Sequence, residues 1–253
     1  MTLQIGSKRK EGGFAETVRV VIHALLIAVV IRTFLFQPFN IPSGSMIPTL
    51  LVGDYLFVSK YSYGYSHYSL PFSPPLSSGR VFGSPPHRGD VVVFRLPRDT
   101  SIDYIKRIVG LPGDRLQMIN GALHINGVPV KRKPVTKGCV AHEDVGQPVL
   151  CYRETLPNGV SFITHYFKGG GILDNTPVFT VPPGDYFMMG DNRDNSTDSR
   201  VPPSSGGVGY VPFQNIIGKA QIVFFSIKRG VSAWEIWDWP WAVRWSRLFT
   251  LVR

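Results

Sequence analysis

Nothing in this chain is built to hold nucleic acid. Its 27 lysines and arginines against 17 aspartates and glutamates give a formal net charge of +10. Yet there is no basic helix, no RNA-binding motif and no finger spacing to present that charge to a strand or a duplex. Nucleic acid is therefore not expected as a partner, and an anionic membrane surface suits the charge better. Helical periodicity is also missing between the first apolar run and Gly230, which leaves a mainly β domain. Cysteine is down to two residues, Cys139 and Cys151. A zinc site would have to recruit His142, and the ligand spacing is poor. No Ala-x-Ala-like site follows the apolar run promptly, which argues against a cleavable leader and for a retained anchor.

That run, residues 20–36, is nearly all aliphatic or aromatic and sits at the short end of what a bilayer requires. His23 and Arg32 are its exceptions, and Arg32 is close enough to the far end to snorkel. Lys8, Arg9, Lys10 and Arg19 precede it, so the charge bias puts the N-terminus in the cytoplasm and everything after Phe36 outside. The expected organisation is a cytoplasmic segment 1–19, a transmembrane anchor 20–36, an extracytoplasmic β-rich domain 37–229 and a Trp-rich tail 230–253 at the membrane interface.

Within the domain, strands are expected at 55–59, 91–94, 103–109, 122–125, 183–189 and 218–227. Pro112-Gly113 fits the centre of a type II turn, and Asn120-Gly121 and Asn126-Gly127 are hairpin signals. Residues 61–88, rich in Tyr, Ser, Pro and Gly, read as a long surface loop, and residues 130–178 as a second variable insertion. In the tail, Trp234, Trp237, Trp241, Trp245 and Leu248 would share one face of a helix that kinks or begins at Pro240.

Three stretches carry chemistry. Residues 39–50 (Phe-Asn-Ile-Pro-Ser-Gly-Ser-Met-Ile-Pro-Thr-Leu) are neither a good helix nor a regular strand. Pro42 and Pro48 stiffen them, Gly44 widens the backbone choices, and the hydroxyls of Ser43 and Ser45 are presented from the result. On its own the stretch reads equally well as a Ser/Pro connector between the anchor and the domain. The second stretch is the strand holding Lys106, whose alternation puts Lys106 on one face with Tyr104 and Ile108. A lysine there either lays its stem on apolar surface with the ammonium in water, or is desolvated and can act as a base near neutrality. A serine nucleophile needs a base, and the six histidines all fall outside these stretches, so a Ser–Lys pair is the economical proposal. The third stretch, residues 190–200, is dense in Asp, Asn, Ser and Arg and reads as turns closed by side-chain hydrogen bonds. It lacks the glycine and closing glutamate of an EF-hand. Its Asp191, Asp194 and Asp198 can balance Arg107, Arg193 and Arg200.

Together, residues 41–50, 88–94, 104–114 and 190–200 resemble the type I signal peptidases, membrane-anchored serine peptidases that remove signal peptides from exported proteins. The match covers about a quarter of the chain in the family's order. The resemblance implies a catalytic domain on the periplasmic side of the inner (cytoplasmic) membrane, which with the reading above makes it an antiparallel β domain behind a single N-terminal span. It implies Ser45 as nucleophile, Lys106 as general base and Ser43 at the oxyanion hole. Ser196 would orient Lys106, while Asp198 with Arg200 and Asp191 with Arg107 would brace the site. Phe39, Ile41, Leu50, Tyr104 and Ile105 would line shallow pockets for small side chains one and three residues before the cut, with exported preproteins as partners and neither metal nor cofactor required. The chain departs from the best-known bacterial members in having one clear N-terminal span rather than two, and nothing is carried over to its two insertions. On the outer side of a membrane Cys139 and Cys151 are expected to form a disulfide. A conjugation-pilus processing peptidase or a self-cleaving repressor would share the Ser–Lys chemistry, the repressor being disfavoured by the apolar span. A non-catalytic anchored β module is the reading of a different class.

Overall fold

A computed structural model of the chain describes residues 13–70, 73, 79–135, 139, 148–231 and 234–253. Lys8, Arg9, Lys10 and His142 lie outside the described residues. The apolar run forms helix α1 (Phe14–Val30), continued by a π-helical turn over Ile31–Leu35. Those 22 residues span about 33 Å at 1.5 Å per residue, against a hydrocarbon core of about 30 Å. The helix starts six residues before the run read from sequence, because Glu16, Thr17 and Arg19 interrupt the apolar pattern without opposing helix, and Glu16 suits the positive end of the helix dipole. It ends one residue earlier, since Phe36 opens a strand. No residue of α1 is buried against the rest of the chain.

The β domain follows as β1 (Phe36–Asn40), β2 (Asp54–Ser59), β3 (Val91–Leu96), β4 (Asp99–Gly110), β5 (Arg115–Ile119), β6 (Ala122–Ile125), β7 (Val128–Pro129) and β8 (Lys131–Pro134). Then come β9 (Val149–Thr155), β10 (Ser161–Phe167), β11 (Phe179–Thr180), β12 (Asp185–Met189), β13 (Val211–Pro212), β14 (Ile216–Ser226) and β15 (Thr250–Leu251). The main antiparallel sheet runs β1-β2-β14-β3-β4-β12-β13, with β15 added to β14. Two smaller sheets, β10-β9-β8 and β11-β5-β6-β7, lie beside it. The expected mainly β architecture is what forms, and each anticipated strand is present with bounds moved by a few residues. The turns follow their chemistry: Asn120 and Gly121 (φ 49° and 71°), like Asn126 and Gly127 (φ 55° and 81°), are both left-handed, as a type I′ hairpin demands.

The insertions hold more structure than a loop reading allows. In 61–88, Tyr63, Ser66 and Ser69 are buried and Tyr65 bridges to Val81. The second insertion contributes the β9–β10 hairpin, and a disulfide joins Cys139 to Cys151 with Cα atoms 5.5 Å apart. The His165 ring comes within 4.8 Å of those sulfurs, but sulfurs bonded to each other do not supply thiolate ligands.

The tail is not one helix. It breaks into short turns with a single four-residue helix, α2 (Trp239–Ala242), in which Pro240 occupies a first-turn position. Trp234, Trp237, Trp241 and Trp245 are exposed, while Trp239 packs against Phe225 with ring centroids 5.1 Å apart. Arg244 and Arg247 turn inward instead, donating to the Val52 and Ile227 carbonyls and to the fully buried Asp54. These arginines fasten the tail to the sheet and leave the indoles outside.

Candidate active site

The stretch carrying Ser45 is held from both sides. Ile41 N–H donates to the Asp54 carbonyl (2.8 Å) and Gly53 N–H returns to Ile41 (2.9 Å), so the chain leaves β1 tied to the start of β2. Pro42 then blocks further strand pairing, and a 3₁₀ turn, Gly44–Met46, raises Ser45. Met46, Ile47 and Leu50 are fully buried beneath it. Across the site, Asn192 donates its backbone N–H to the Ser45 carbonyl (3.1 Å) and its side-chain Nδ2 to the Gly44 carbonyl (2.9 Å). Gly190 packs so close that a Cβ there would meet the Ser45 carbonyl oxygen at 2.5 Å.

Lys106 reaches the same point from β4. Its Nζ lies 2.6 Å from Ser45 Oγ and 3.1 Å from the Ile105 carbonyl, and 5.3 Å from the centre of the Tyr104 ring, in keeping with a shared strand face. The side chain is only 4% exposed. Burial lowers its pKa from 10.5 to about 8; the Asp198 and Asp191 carboxylates oppose this, and the Arg200 guanidinium adds to it. At pH 7 about one such lysine in ten is neutral, against roughly one in three thousand at the ordinary value. The arrangement can therefore pass a proton from hydroxyl to amine.

Behind the pair stand ion pairs that are almost fully desolvated. Arg107, on the opposite face of β4, grips Asp191 through Nε–Oδ1 (2.8 Å) and Nη2–Oδ2 (2.6 Å) and stacks 3.9 Å over Phe162. Arg200 grips Asp198 at 2.9 and 2.8 Å, and Asp198 also accepts the Gly190 N–H (3.0 Å). Burial alone would raise the Asp198 pKa, but Arg200 and the backbone donors hold it below the usual carboxylate range. The Ser196 hydroxyl is buried next to Gly190 and makes no hydrogen bond among the described residues, including to Lys106.

A cleft of ≈540 Å³ opens in front of Ser45. Phe39, Ile41, Tyr104 and Ile105 line it, as do Ser43, Ser45 and Lys106, joined by Val93, Ile102 and Asn195. Leu50 does not line it: it is fully buried in the core with Met46 and Leu56, because the turn at Met46 sends it beneath the cleft floor. No histidine lines the cleft among the described residues. On one side of the cleft, among the described residues, Tyr104 and Ile105 pair only with Phe94 and Val93 of β3, since β12 reaches no further along β4 than Arg107. That edge of β4 is open to an added strand.

Sequence reasoning passed over several residues that hold this geometry. Asn192 and Gly190 lay inside a recognised stretch but were not singled out; the close approach of backbones explains both. Glu154 had no signal at all. It sits on β9 in the second insertion, fully buried, and pairs with Arg193 at 2.9 and 2.6 Å while Tyr166 donates to it at 2.7 Å. Arg193, conversely, was marked as a charge to be balanced within residues 190–200, and its partner came from forty residues upstream.

Comparison with known proteins follows the same residues. The pattern described as signal peptidase, peptidase S26, matches residues 14–225. Signal peptidase I of Rickettsia typhi is 46% identical over 244 residues, covering 89% of this chain and 89% of that protein. Signal peptidase I of Rickettsia prowazekii is 43% identical over an alignment of 261 residues, covering 96% and 92%. A crystal structure of a signal peptidase I from Enterococcus faecalis V583 is 25% identical with a TM-score of 0.31, covering 54% of this chain and 97% of that one.

Proposed function

The chain belongs to the signal peptidase, peptidase S26, family, and from that membership we propose that Ser45 and Lys106 are the catalytic pair with which it cleaves exported preproteins. It is a serine endopeptidase that removes signal peptides, and it carries one apolar helix long enough to anchor it in a membrane. The single observation supporting the pair is the 2.6 Å approach of Lys106 Nζ to Ser45 Oγ at a buried position.

In this reading the stretch before the cut adds as a strand along the open edge of β4, at Tyr104 and Ile105. Neutral Lys106 takes the Ser45 proton as Oγ attacks the scissile carbonyl. The negative charge on the carbonyl oxygen is met by the Ser45 N–H and the Ser43 hydroxyl, which stands exposed at the cleft mouth. Lys106 then protonates the departing amine, freeing the mature protein, and activates water to hydrolyse the Ser45 ester and release the signal peptide. Arg107 with Asp191 and Arg200 with Asp198 keep Lys106 and Ser45 in register. Phe39, Ile41, Tyr104 and Ile105 form shallow walls that reject bulk by clash, which favours small residues at −1 and −3. In the same reading the positive charge before the helix keeps the N-terminus in the cytoplasm and the cleft at the outer face, and the exposed Trp234, Trp237, Trp241 and Trp245 would face the same leaflet.

The test uses the purified full-length protein and a preprotein carrying Ala at −1 and −3. Cleavage at that bond, its loss in folded Ser45→Ala, and its loss when Phe replaces Ala at −1 are the expected results. Cleavage by Ser45→Ala would remove the assignment.

A further inference from the structure

Where the apolar helix meets the β domain, the chain gathers positive charge around a cavity. The junction is ordered: Lys60 N–H donates to the Leu35 carbonyl (3.0 Å), Tyr65 Oη to the Phe34 carbonyl (2.7 Å), and the Phe34 and Tyr65 rings meet edge to face. Beside it lies a second cavity of ≈540 Å³, lined among others by Arg32 and Thr33 of the helix end, Lys60 after β2, Tyr68, and Arg95 of β3. It is separate from the catalytic cleft, with which it shares no lining residue.

Three cations face this space and little answers them. Lys60 is only 3% exposed, and its ammonium has one acceptor, the Ser69 carbonyl at 2.5 Å. Arg32 makes no hydrogen bond or ion pair among the described residues. Arg95 shares Asp103 at 3.2 Å, and its Nε is buried without a partner. Among the described residues no carboxylate lines the cavity, and Asp103, which pairs with Arg95 from outside it, is the one that forms an ion pair with any of the three. The electrostatics agree: burial, then Arg32 and Arg95, push Lys60 down to about 8, and the Asp103 carboxyl is raised by burial despite Arg95 and Lys60. Holding the buried Lys60 ammonium and the partly buried Arg95 beside a void is costly unless an anion occupies it, and the exposed Arg32 adds a third donor without that cost.

We propose that this cavity is a seat for a phosphate group, supplied by the headgroup of an anionic glycerophospholipid. Two guanidinium forks and an ammonium are the donors phosphate binds best. Of the other walls, Val29, Leu70 and Ile217 are apolar and Gln37 is polar, a mixture that suits the glycerol end of a lipid better than a hydrated ion. Position argues the same way. Arg32 lies about 5 Å before the end of the helix, at the level where a spanning segment meets headgroups. The choice of a lipid as the source rests on the membrane-anchor reading; the cation cluster does not. Because Arg95 also pairs with Asp103, which lines the catalytic cleft, a seated phosphate would fix the height of the cleft above the bilayer.

The experiment uses the full chain in a non-ionic detergent, titrated with short-chain phosphatidylglycerol and separately with inorganic phosphate, reading the thermal unfolding midpoint. Wild type should show a saturable upward shift with phosphatidylglycerol. Arg32→Gln and Arg95→Gln should each weaken that binding at least tenfold. Arg32→Gln, whose side chain holds nothing else in place, should keep the ligand-free midpoint and wild-type peptide cleavage. Running the titration in Ser45→Ala as well keeps the result independent of the catalytic reading. Much tighter binding of phosphatidylglycerol than of inorganic phosphate supports the lipid. Equal affinities would overturn the lipid as source and leave free phosphate as the occupant. No saturable shift, or one unchanged in both arginine variants, would overturn the seat itself and pass any lipid binding to the tryptophan tail.

Discussion

Gly190 offers the sharpest structural test of how Ser45 is held. An alanine there puts a methyl carbon 2.5 Å from the Ser45 carbonyl oxygen, 2.3 Å from Ser196 Oγ and 2.6 Å from Ser196 Cβ. Ordinary contact for such a carbon begins at 3.4 Å. The Ser196 hydroxyl can rotate away but its Cβ cannot, and the Ser45 oxygen is backbone, clamped by Asn192, so Ser196 and Ser45 must both give, Ser45 by about 0.9 Å. Overpacking of this kind costs about 1–3 kcal/mol of stability, and a shift near 1 Å in a reacting group costs on the order of 100-fold in rate. Gly190→Ala should therefore fold with a lowered unfolding midpoint and lose on the order of 100-fold in kcat. KM should change little, because the cleft walls at Phe39, Ile41 and Tyr104 are untouched. Gly169→Ala, whose new methyl would meet nothing within 4 Å, is the control and should be neutral. Steady-state peptide cleavage with circular-dichroism melting decides the matter. A folded Gly190→Ala with wild-type kcat would refute the idea that this close approach positions Ser45.

Other consequences concern stability and the membrane. Lys106 has a folded pKa of about 8 against 10.5, so the unfolded chain binds more protons between those values and wild-type stability should rise with pH across that window. Lys106→Met should accordingly be inactive yet more stable at pH 7 by up to about 3 kcal/mol, the advantage fading by about pH 10.5 in melts run at stepped pH. Glu154→Gln leaves Arg193 buried and uncompensated, and should cost about 3–5 kcal/mol in denaturant unfolding although it lies far from the recognised stretches. A span-deleted chain mixed with anionic vesicles should show a blue-shifted tryptophan emission, since four of its five indoles are exposed. An unmoved spectrum would mean that the indoles do not enter the interface.

How much could be read beforehand depended on how local each cause is. The I′ hairpins at Asn120-Gly121 and Asn126-Gly127, the strand around Lys106 and the stiff turn at Ser45 are written in neighbouring residues, so they were legible. The break at Pro240 was legible, since a short helix does start there, but the shared tryptophan stripe was not, because the spacing mimics a helical period that the tail does not keep. The inward pull of Arg244 on the Val52 and Ile227 carbonyls and of Arg247 on Asp54 breaks the period, and most of those acceptors are remote in sequence. Leu50 was expected at the cleft from the family resemblance, yet the turn at Met46 carries it into the core. Glu154, Asn192 and the cation cluster of Arg32, Lys60 and Arg95 depend on which strands the sheet brings together, and no sequence pattern announces that.

The central claim is that Lys106 acts as a base rather than as a fixed charge. Arginine keeps the charge but stays protonated in a protein, so the decisive measurement is preprotein cleavage by folded wild type, Lys106→Arg, Ser45→Ala and the double variant across pH 6 to 10. The account predicts that wild-type kcat/KM rises through an apparent pKa near 8. It also predicts that both single variants lose activity to a similar degree, with the double variant little worse than either. Substantial turnover by Lys106→Arg, with a pH profile flat through 8, would contradict it.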